Sequence, residues 1–166
     1  MPTRTPIRDE EHAMQYALRL LGYRPRGEEE LRRRLDRKGY APLVTDRTLA
    51  ALTRLELLDD RAFAREWVTA RAGHGPARLK QALRAKGIAR DLAEEIVAAE
   101  VPADEEYARA LAVARRAVPA AAPPLDRDAL LRVRRMLQRR GFSFGVIGRV
   151  CAQLTDHLTE EGDWLE

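Results

Sequence analysis

The chain has 166 residues, of which 45% are apolar and only 5% aromatic, and a formal net charge of +4. Alanine, leucine, arginine and glutamate dominate, and these residues lose little side-chain freedom in a helix, so the composition predicts an all-α fold. No apolar stretch approaches the about 20 residues of a membrane-spanning helix, and the N-terminal residues lack the apolar stretch of a signal peptide. The single cysteine, Cys151, has no disulfide partner within the chain. We therefore expect a cytoplasmic protein without a membrane segment.

The charge is distributed unevenly along the chain. Residues 109–149 contain ten arginines against two aspartates, residues 90–106 contain one arginine against seven acids, and residues 150–166 contain five acids and no base. A basic block of this size can bind a polyanion or an acidic protein surface, but it can also serve solubility alone.

The first three predicted helices follow one another with short links. A helix over 9–21 has apolar residues at helical spacing. In the next helix, the glutamates 28–30 each stand four residues before one of the arginines 32–34, so a solvated face with three ion pairs is predicted. Gly39 is predicted to end this helix, and Thr45 to be the N-cap of the third.

A second set of helices begins after the aspartate pair Asp59-Asp60, with a predicted helix over 61–72. Adjacent carboxylates can bind metal or act as acid and base. Acids before a helix also cap its N-terminus, and no second ligand cluster lies at a suitable spacing, so we expect a cap. The link 73–76 ends in Pro76, which suits a first helical position.

The third set starts with a predicted helix over 103–118 and continues after the proline-rich link 119–124. Asp126 is predicted to cap the arginine-rich helix that follows, and Ser143 to cap the last helix.

An internal repeat connects the three sets. Each of the segments 31–40, 79–88 and 133–142 has apolar residues four apart, then a base, a glycine and a large apolar residue. Glycine after a helix adopts a positive φ without steric cost, and a base in the last turn complements the helix dipole. Lys38, Lys86 and Arg140 are therefore predicted to be helix-end residues.

The repeat predicts three tandem three-helix copies that form an elongated, curved helical stack. The predicted boundaries are 1–56 for copy 1, 57–102 for copy 2, 103–158 for copy 3, and 159–166 for an acidic tail. Trp164 in this tail either packs onto the protein or contacts a partner, and the sequence leaves both possibilities open.

Residues that could carry catalysis are scarce. His12, His74 and His157 have no metal-binding spacing, and no glycine-rich phosphate loop or nucleophile elbow is present. His74 is expected to be exposed in its glycine-rich link, with partner contact as a minor alternative. Cys151 and the aromatic pair Phe63 and Trp67 are expected to be core residues. We therefore predict that the chain is not an enzyme and has no cofactor and no metal.

The best candidates for binding are the bases of the second helix of each copy. Arg132, Arg135 and Arg139 fall on one helical stripe, and the only acid that stands four residues before any arginine of this helix is Asp128. Such a stripe can bind phosphates or an acidic protein surface, and the alternative is a plain solvated face. The full set of candidates is Arg132, Arg135, Arg139, Arg140, Lys80, Arg84, Lys86, Arg32, Arg33 and Arg34.

Four segments in register, over about residues 11–154, resemble the RecX family of bacterial regulatory proteins. They are 17–21 with 30–35, 57–68, 75–88 and 139–143, and the second of them, 57–68, resembles the most distinctive segment of the family. One departure is Gly27, where members of the family tend to have serine or a similar cap. Glycine is also an acceptable N-cap.

This resemblance implies a regulator in DNA repair, homologous recombination and the SOS response. RecX proteins are tandem three-helix repeats that bind in the groove of the RecA–single-stranded-DNA filament. They mostly inhibit strand exchange, ATP hydrolysis and co-protease activity, and they have no recognised catalytic residues. The implied partners are the RecA filament and single-stranded DNA, with double-stranded DNA as a further candidate, and we expect a monomer. The alternative is a general helical DNA-binding protein that acts without a recombinase.

Overall fold

The computed structural model describes residues 6–118 and 127–160, with side chains over 9–118 and 127–155. These residues form nine helices and no strand: α1 (Pro6–Tyr23), α2 (Glu28–Lys38), α3 (Pro42–Arg54), α4 (Asp60–Thr69), α5 (Pro76–Ala85), α6 (Arg90–Glu100), α7 (Ala103–Ala117), α8 (Arg127–Arg139) and α9 (Phe144–Glu160). The predicted all-α fold of three-helix copies is confirmed. The cap predicted at Asp126, the link 119–124 and Trp164 lie outside the described residues, as does the side chain of His157.

Two compact units make up the chain. One contains residues 1–67 and 83–93, and the other contains residues 68–82 and 94–166. In the first unit α1, α2 and α3 pack around completely buried leucines such as Leu31, Leu35 and Leu52. In the second unit α7, α8 and α9 pack around Leu137 and Val150 in the same way. The boundaries given above for the three copies remain predictions.

The predicted glycine stops are confirmed in all three copies. Gly39, Gly87 and Gly141 have φ values of 91°, 89° and 82°. The amide of Gly39 donates to the carbonyl three residues earlier at 2.9 Å, and the amide of Tyr40 donates to the carbonyl five residues earlier at 3.3 Å. The same two hydrogen bonds are present at the other two glycines, Gly87 and Gly141. This is the Schellman arrangement, which satisfies carbonyls at a helix end that have no intrahelical donor.

Two of these glycines also lie against another helix. A Cβ added to Gly87 would be 2.3 Å from Cβ of Glu29 in α2, and a Cβ added to Gly141 would be 2.4 Å from the backbone nitrogen of Arg78 in α5. At Gly39 nothing lies within 4 Å. The stop of each later copy therefore contacts the first turn of the second helix in the copy before it. This close approach is a second reason for glycine, in addition to the positive φ.

Hydrogen bonds strengthen the contact at Gly141. The amide of Gly75 donates to the carbonyl of Arg140 at 2.9 Å, and the amide of Ala77 donates to the carbonyl of Gly141 at 3.2 Å. Amides at the start of a helix lack intrahelical acceptors. The end of α8 therefore supplies the acceptors that the start of α5 needs.

The two aspartates at the start of α4, Asp59 directly before it and Asp60 as its first residue, cap two different helices. Asp59 Oδ1 accepts the amides of residues 61–62 at 2.8 and 3.0 Å, which is the predicted cap of α4. Asp60 Oδ1 accepts the amide of Glu28 at 2.7 Å and so caps α2 from a distance of 32 residues in the sequence. Gly27, the N-cap of α2, has no side chain to do this, and a Cβ there would lie 3.1 Å from Asp60 Oδ1. Asp60 thus stands where the missing side-chain cap would be.

The predicted N-cap at Thr45 is wrong. Helix α3 begins at Pro42 with Ala41 as its N-cap, because proline at a first helical position has its φ already set for the helix. Thr45 is completely buried inside the helix, and its hydroxyl donates to Asp36 Oδ1 at 3.1 Å. Ser143, in contrast, lies directly before α9 as predicted, and its carbonyl accepts the amide of Ile147 at 2.9 Å.

Asparagine at the three stop positions should separate the two roles of glycine. Asparagine adopts the left-handed region more readily than other residues with a side chain, so Gly39→Asn should show only the backbone strain and lower the free energy of unfolding by at most about 1 kcal/mol. Gly87→Asn and Gly141→Asn should each lower it by about 1–3 kcal/mol, since the added side chain collides with α2 or α5. Urea denaturation of the three variants measures these differences, and equal losses at all three positions would contradict the close approach.

Asp60 should make the stability depend on pH. Burial raises the pKa of Asp60 above its ordinary value, and the nearby carboxylates Glu28 and Asp59 act in the same direction. The folded state therefore takes up a proton at a higher pH than the unfolded state. As the pH falls from neutral to about 4, the wild type should gain stability relative to Asp60→Asn.

Urea denaturation of both proteins across this pH range measures the difference. At neutral pH the control Asp60→Ala, which removes the cap of α2 altogether, should lose about 1 kcal/mol. A constant difference between wild type and Asp60→Asn over the whole range would show that Asp60 titrates equally in both states.

Candidate partner-binding surface

One basic surface is the α8 arginine face, which we define as Arg132, Arg135 and Arg139. Helix α8 buries Val133 and Leu137 in the core of copy 3. With about 3.6 residues per turn, the three arginines lie together on a stripe nearly opposite the buried one. All three side chains are exposed. The core contacts of α8 therefore determine which way this stripe faces.

No described acid compensates the α8 arginine face. None of its three guanidinium groups forms an ion pair or a hydrogen bond with a described residue, and Asp128, although one turn before Arg132, does not pair with it. Exposed guanidinium groups in this state keep all their donors available for a phosphate or a carboxylate of a partner.

The corresponding arginines of α2 are in a different state. The three predicted pairs are present, at 3.1, 2.9 and 3.9 Å: Glu28–Arg32, Glu29–Arg33 and Glu30–Arg34. Arg32 also bonds to Asp46 in α3, and this bond and the one to Glu28 raise the pKa of the Arg32 guanidinium. Since the charges of Arg32 and Arg33 are already compensated, these two are weaker candidates for a partner than the α8 arginine face. Arg34 shares Glu30 with Arg24 and Arg26, and Arg24 lies closer to this carboxylate, at 2.6 Å.

Lysines at the ends of α2 and α5 pack over aromatic rings. Lys86 Nζ lies 5.7 Å from the centre of the Trp67 ring, and Lys38 Nζ lies 5.9 Å from that of Tyr16. Such cation–π contacts give Lys86 a structural role that its position in the repeat did not predict. Phe63 is buried as predicted, whereas Trp67 is only partly buried.

The other candidates on α5 are Lys80, which is half-buried, and Arg84, which is exposed. Neither forms an ion pair with a described residue. They stand four residues apart on α5, and Arg84 is the better placed for a partner because more of its side chain reaches solvent.

Arg140 contacts the link before α5. Its Nη1 donates to the carbonyl of Gly73 at 3.1 Å, and its side chain is half-buried. Because the link packs on the end of α8, His74 within it is also half-buried, so the prediction that His74 is exposed is wrong. Its Nδ1 is buried without a hydrogen-bond partner among the described residues. Burial, with the charges of Arg140, Arg78 and Arg71, lowers the pKa of His74, which is therefore neutral at neutral pH.

The remaining candidate for chemistry, Cys151, is half-buried in the core of copy 3. Burial raises the pKa of its thiol, although Arg134 acts in the opposite direction. A protonated, half-buried thiol is a poor nucleophile. Among the described residues no group of three or more acids, histidines and cysteines could hold a metal ion. None of the described helices is long and apolar enough to cross a membrane.

Known proteins match this arrangement over nearly the whole chain. The profiles for the first, second and third three-helix domains of RecX match residues 13–52, 59–96 and 104–151. The regulatory protein RecX of Halorhodospira halophila is 38% identical, and the match covers 89% of this chain and 91% of that protein. The regulatory protein RecX of Streptomyces coelicolor is 36% identical, and the match covers 97% of this chain and 89% of that protein.

A solved structure shows the same fold. The crystal structure of RecX from Lactobacillus salivarius superposes with a TM-score of 0.80 over 89% of this chain and 97% of that one, at 20% identity. Because the three domain profiles follow one another along the chain and relatives above 30% identity are matched over most of their length, this chain belongs to the RecX family of regulatory proteins.

Proposed function

We propose that this chain is a non-enzymatic regulator that binds RecA filaments on single-stranded DNA and reduces their ATPase, strand-exchange and co-protease activities. The α8 arginine face carries the proposal, because it offers three exposed guanidinium groups that no described acid compensates. The relatives that share the fold are named regulatory proteins, in agreement with a binding function.

The partner of the α8 arginine face should be anionic. A guanidinium group donates two parallel hydrogen bonds to a phosphate or a carboxylate, and it stays charged at any physiological pH. A filament of RecA on DNA offers both groups, on the DNA backbone and on acidic protein surfaces. Binding to either would hold the regulator on the filament.

Several weak contacts can add up along a filament. Tandem copies on one chain bring a second contact to a high effective concentration once the first has formed. A filament presents the same protein surface many times, whereas a free monomer presents it once. A regulator of three copies would therefore prefer the filament to free RecA.

Replacing Arg132, Arg135 and Arg139 with alanine should weaken the inhibition of RecA's DNA-dependent ATPase. The concentration that gives half-maximal inhibition should rise about tenfold or more, because one lost charged contact is worth about 1.5–3 kcal/mol. A titration of RecA ATPase on single-stranded DNA measures the midpoint. If the face binds phosphates, the slope of log affinity against log salt concentration should also become less steep by about 2, because three contacts are lost.

The matched control replaces the three paired arginines of α2, at positions 32–34, with alanine. This variant removes the same number of charges, but from groups that already have acidic partners, so its midpoint should shift much less. Both variants must show wild-type helical content and a cooperative urea transition. A folded variant of the α8 arginine face that inhibits like the wild type would contradict the assignment.

The uncompensated face also favours a second function, that of a helical DNA-binding protein acting without a recombinase. Such a protein binds through phosphates, with an affinity that falls steeply with salt. We expect the wild type to bind RecA-coated single-stranded DNA more tightly than naked DNA across a salt series. Equal affinity for both would support the second function.

A further inference from the structure

A concavity between α1 and α2 brings three bases together. It is lined by Tyr16 of α1 and by Arg34, Arg37 and Lys38 of α2, and its volume is about 220 Å³. We call it the α1–α2 concavity. Pockets that enclose a drug-sized ligand measure about 300–1,000 Å³. The α1–α2 concavity therefore suits a small ion or one group of a larger molecule.

The bases that line the α1–α2 concavity have little acidic compensation. Arg37 and Lys38 are exposed, and neither forms an ion pair with a described residue. Arg34 has Glu30 at 3.9 Å, but that carboxylate also accepts from Arg24 at 2.6 Å. The end of a helix carries a negative charge of only about one half. Three cations exceed this charge, so the concavity attracts anions.

The Tyr16 ring holds two cations in place at the concavity. Lys38 Nζ lies 5.9 Å from the centre of this ring, and the guanidinium carbon of Arg19 lies 6.0 Å from it. The ring itself packs on the core of copy 1 and beside Tyr40, with 6.4 Å between the two ring centres. A cation–π contact uses the charge of a cation and leaves its N–H groups for other acceptors. The two cations are therefore positioned before a ligand arrives, which lowers the entropic cost of binding.

One donor of a lining residue is buried and lacks an acceptor. Nε of Arg34 is shielded from solvent and has no hydrogen-bond partner among the described residues. Its distance of 3.9 Å to Glu30 Oε1 is too long for a hydrogen bond. Buried polar groups in folded proteins nearly always have a partner. An anion in the concavity would bring an acceptor to this guanidinium group.

We propose that the α1–α2 concavity binds a phosphate group. A carboxylate has two oxygens and one charge, whereas a phosphate monoester has three acceptor oxygens and a charge of about −1.5 to −2 at neutral pH. The phosphate therefore matches a site of three bases more closely. It belongs either to a small molecule or to the backbone of a nucleic acid, and the exposed side chains of Arg37 and Lys38 are accessible to both. The site goes beyond the proposed function because it needs neither RecA nor the α8 arginine face.

Isothermal titration calorimetry with sodium pyrophosphate tests the proposal, with the ionic strength held constant by sodium chloride. The parent protein carries alanine at positions 132, 135 and 139, so that the α8 arginine face does not contribute. The parent should bind pyrophosphate. Adding Arg37→Gln and Lys38→Gln should raise the dissociation constant about tenfold or more, because two charged donors are lost.

The matched control adds Arg115→Gln and Arg116→Gln to the same parent. These two arginines are exposed and stand in the last turn of α7, as Arg37 and Lys38 stand in the last turn of α2. The control loses the same charge from the same part of a helix and should bind like the parent. Equal weakening by both pairs of substitutions would show an effect of net charge alone and overturn the proposal.

A second titration, with a single-stranded oligothymidylate, distinguishes the two sources of the phosphate. Binding of the oligonucleotide that weakens with Arg37→Gln and Lys38→Gln identifies a nucleic-acid backbone as a ligand, and binding of pyrophosphate alone identifies a small phosphate compound. A parent that binds neither probe, or a folded variant without Arg37 and Lys38 that binds both as tightly as the parent, would overturn the proposal.

Discussion

Contact between successive copies depends on how closely a helix stop can approach a helix start. At Gly87 and Gly141 the distance is so short that any side chain would collide, with 2.3 and 2.4 Å left for an added Cβ. Glycine therefore serves two purposes at once, because it ends its own helix with a positive φ and it admits the neighbouring one. The hydrogen bonds from α5 to the end of α8 then satisfy polar groups that both helix ends leave unpaired.

The same scaffold presents very different charges in different copies. In α2 the glutamates one turn earlier neutralise the arginines, which adds helix stability but leaves little for a partner. In α8 the arginines keep their charge exposed. Because the buried faces of the two helices are equivalent, surface residues can differ between copies without a change of fold, and binding can be concentrated in one copy.

Local features could be predicted from the sequence, and contacts between distant residues could not. The helices, the three glycine stops and the ion pairs of α2 depend on residues at most five positions apart, so their spacing reveals them. Asp60 reaches the start of α2, and the burial of His74 follows from the packing of its link on α8. Nothing in the local spacing indicates such contacts. The prediction of an N-cap at Thr45 is wrong because Pro42 is an equally local signal for a helix start, and it begins the helix three residues earlier.

The cap that Asp60 gives to α2 has a consequence for the order of folding during synthesis. The ribosome makes the chain from its N-terminus, so every residue of α1, α2 and α3 is synthesised before Asp60. Asp60 follows Glu28 by 32 positions. Until then the start of α2 lacks this acceptor and relies on water. Copy 1 thus reaches its final stability only after copy 2 has begun to leave the ribosome, so the two are linked in time as well as in space.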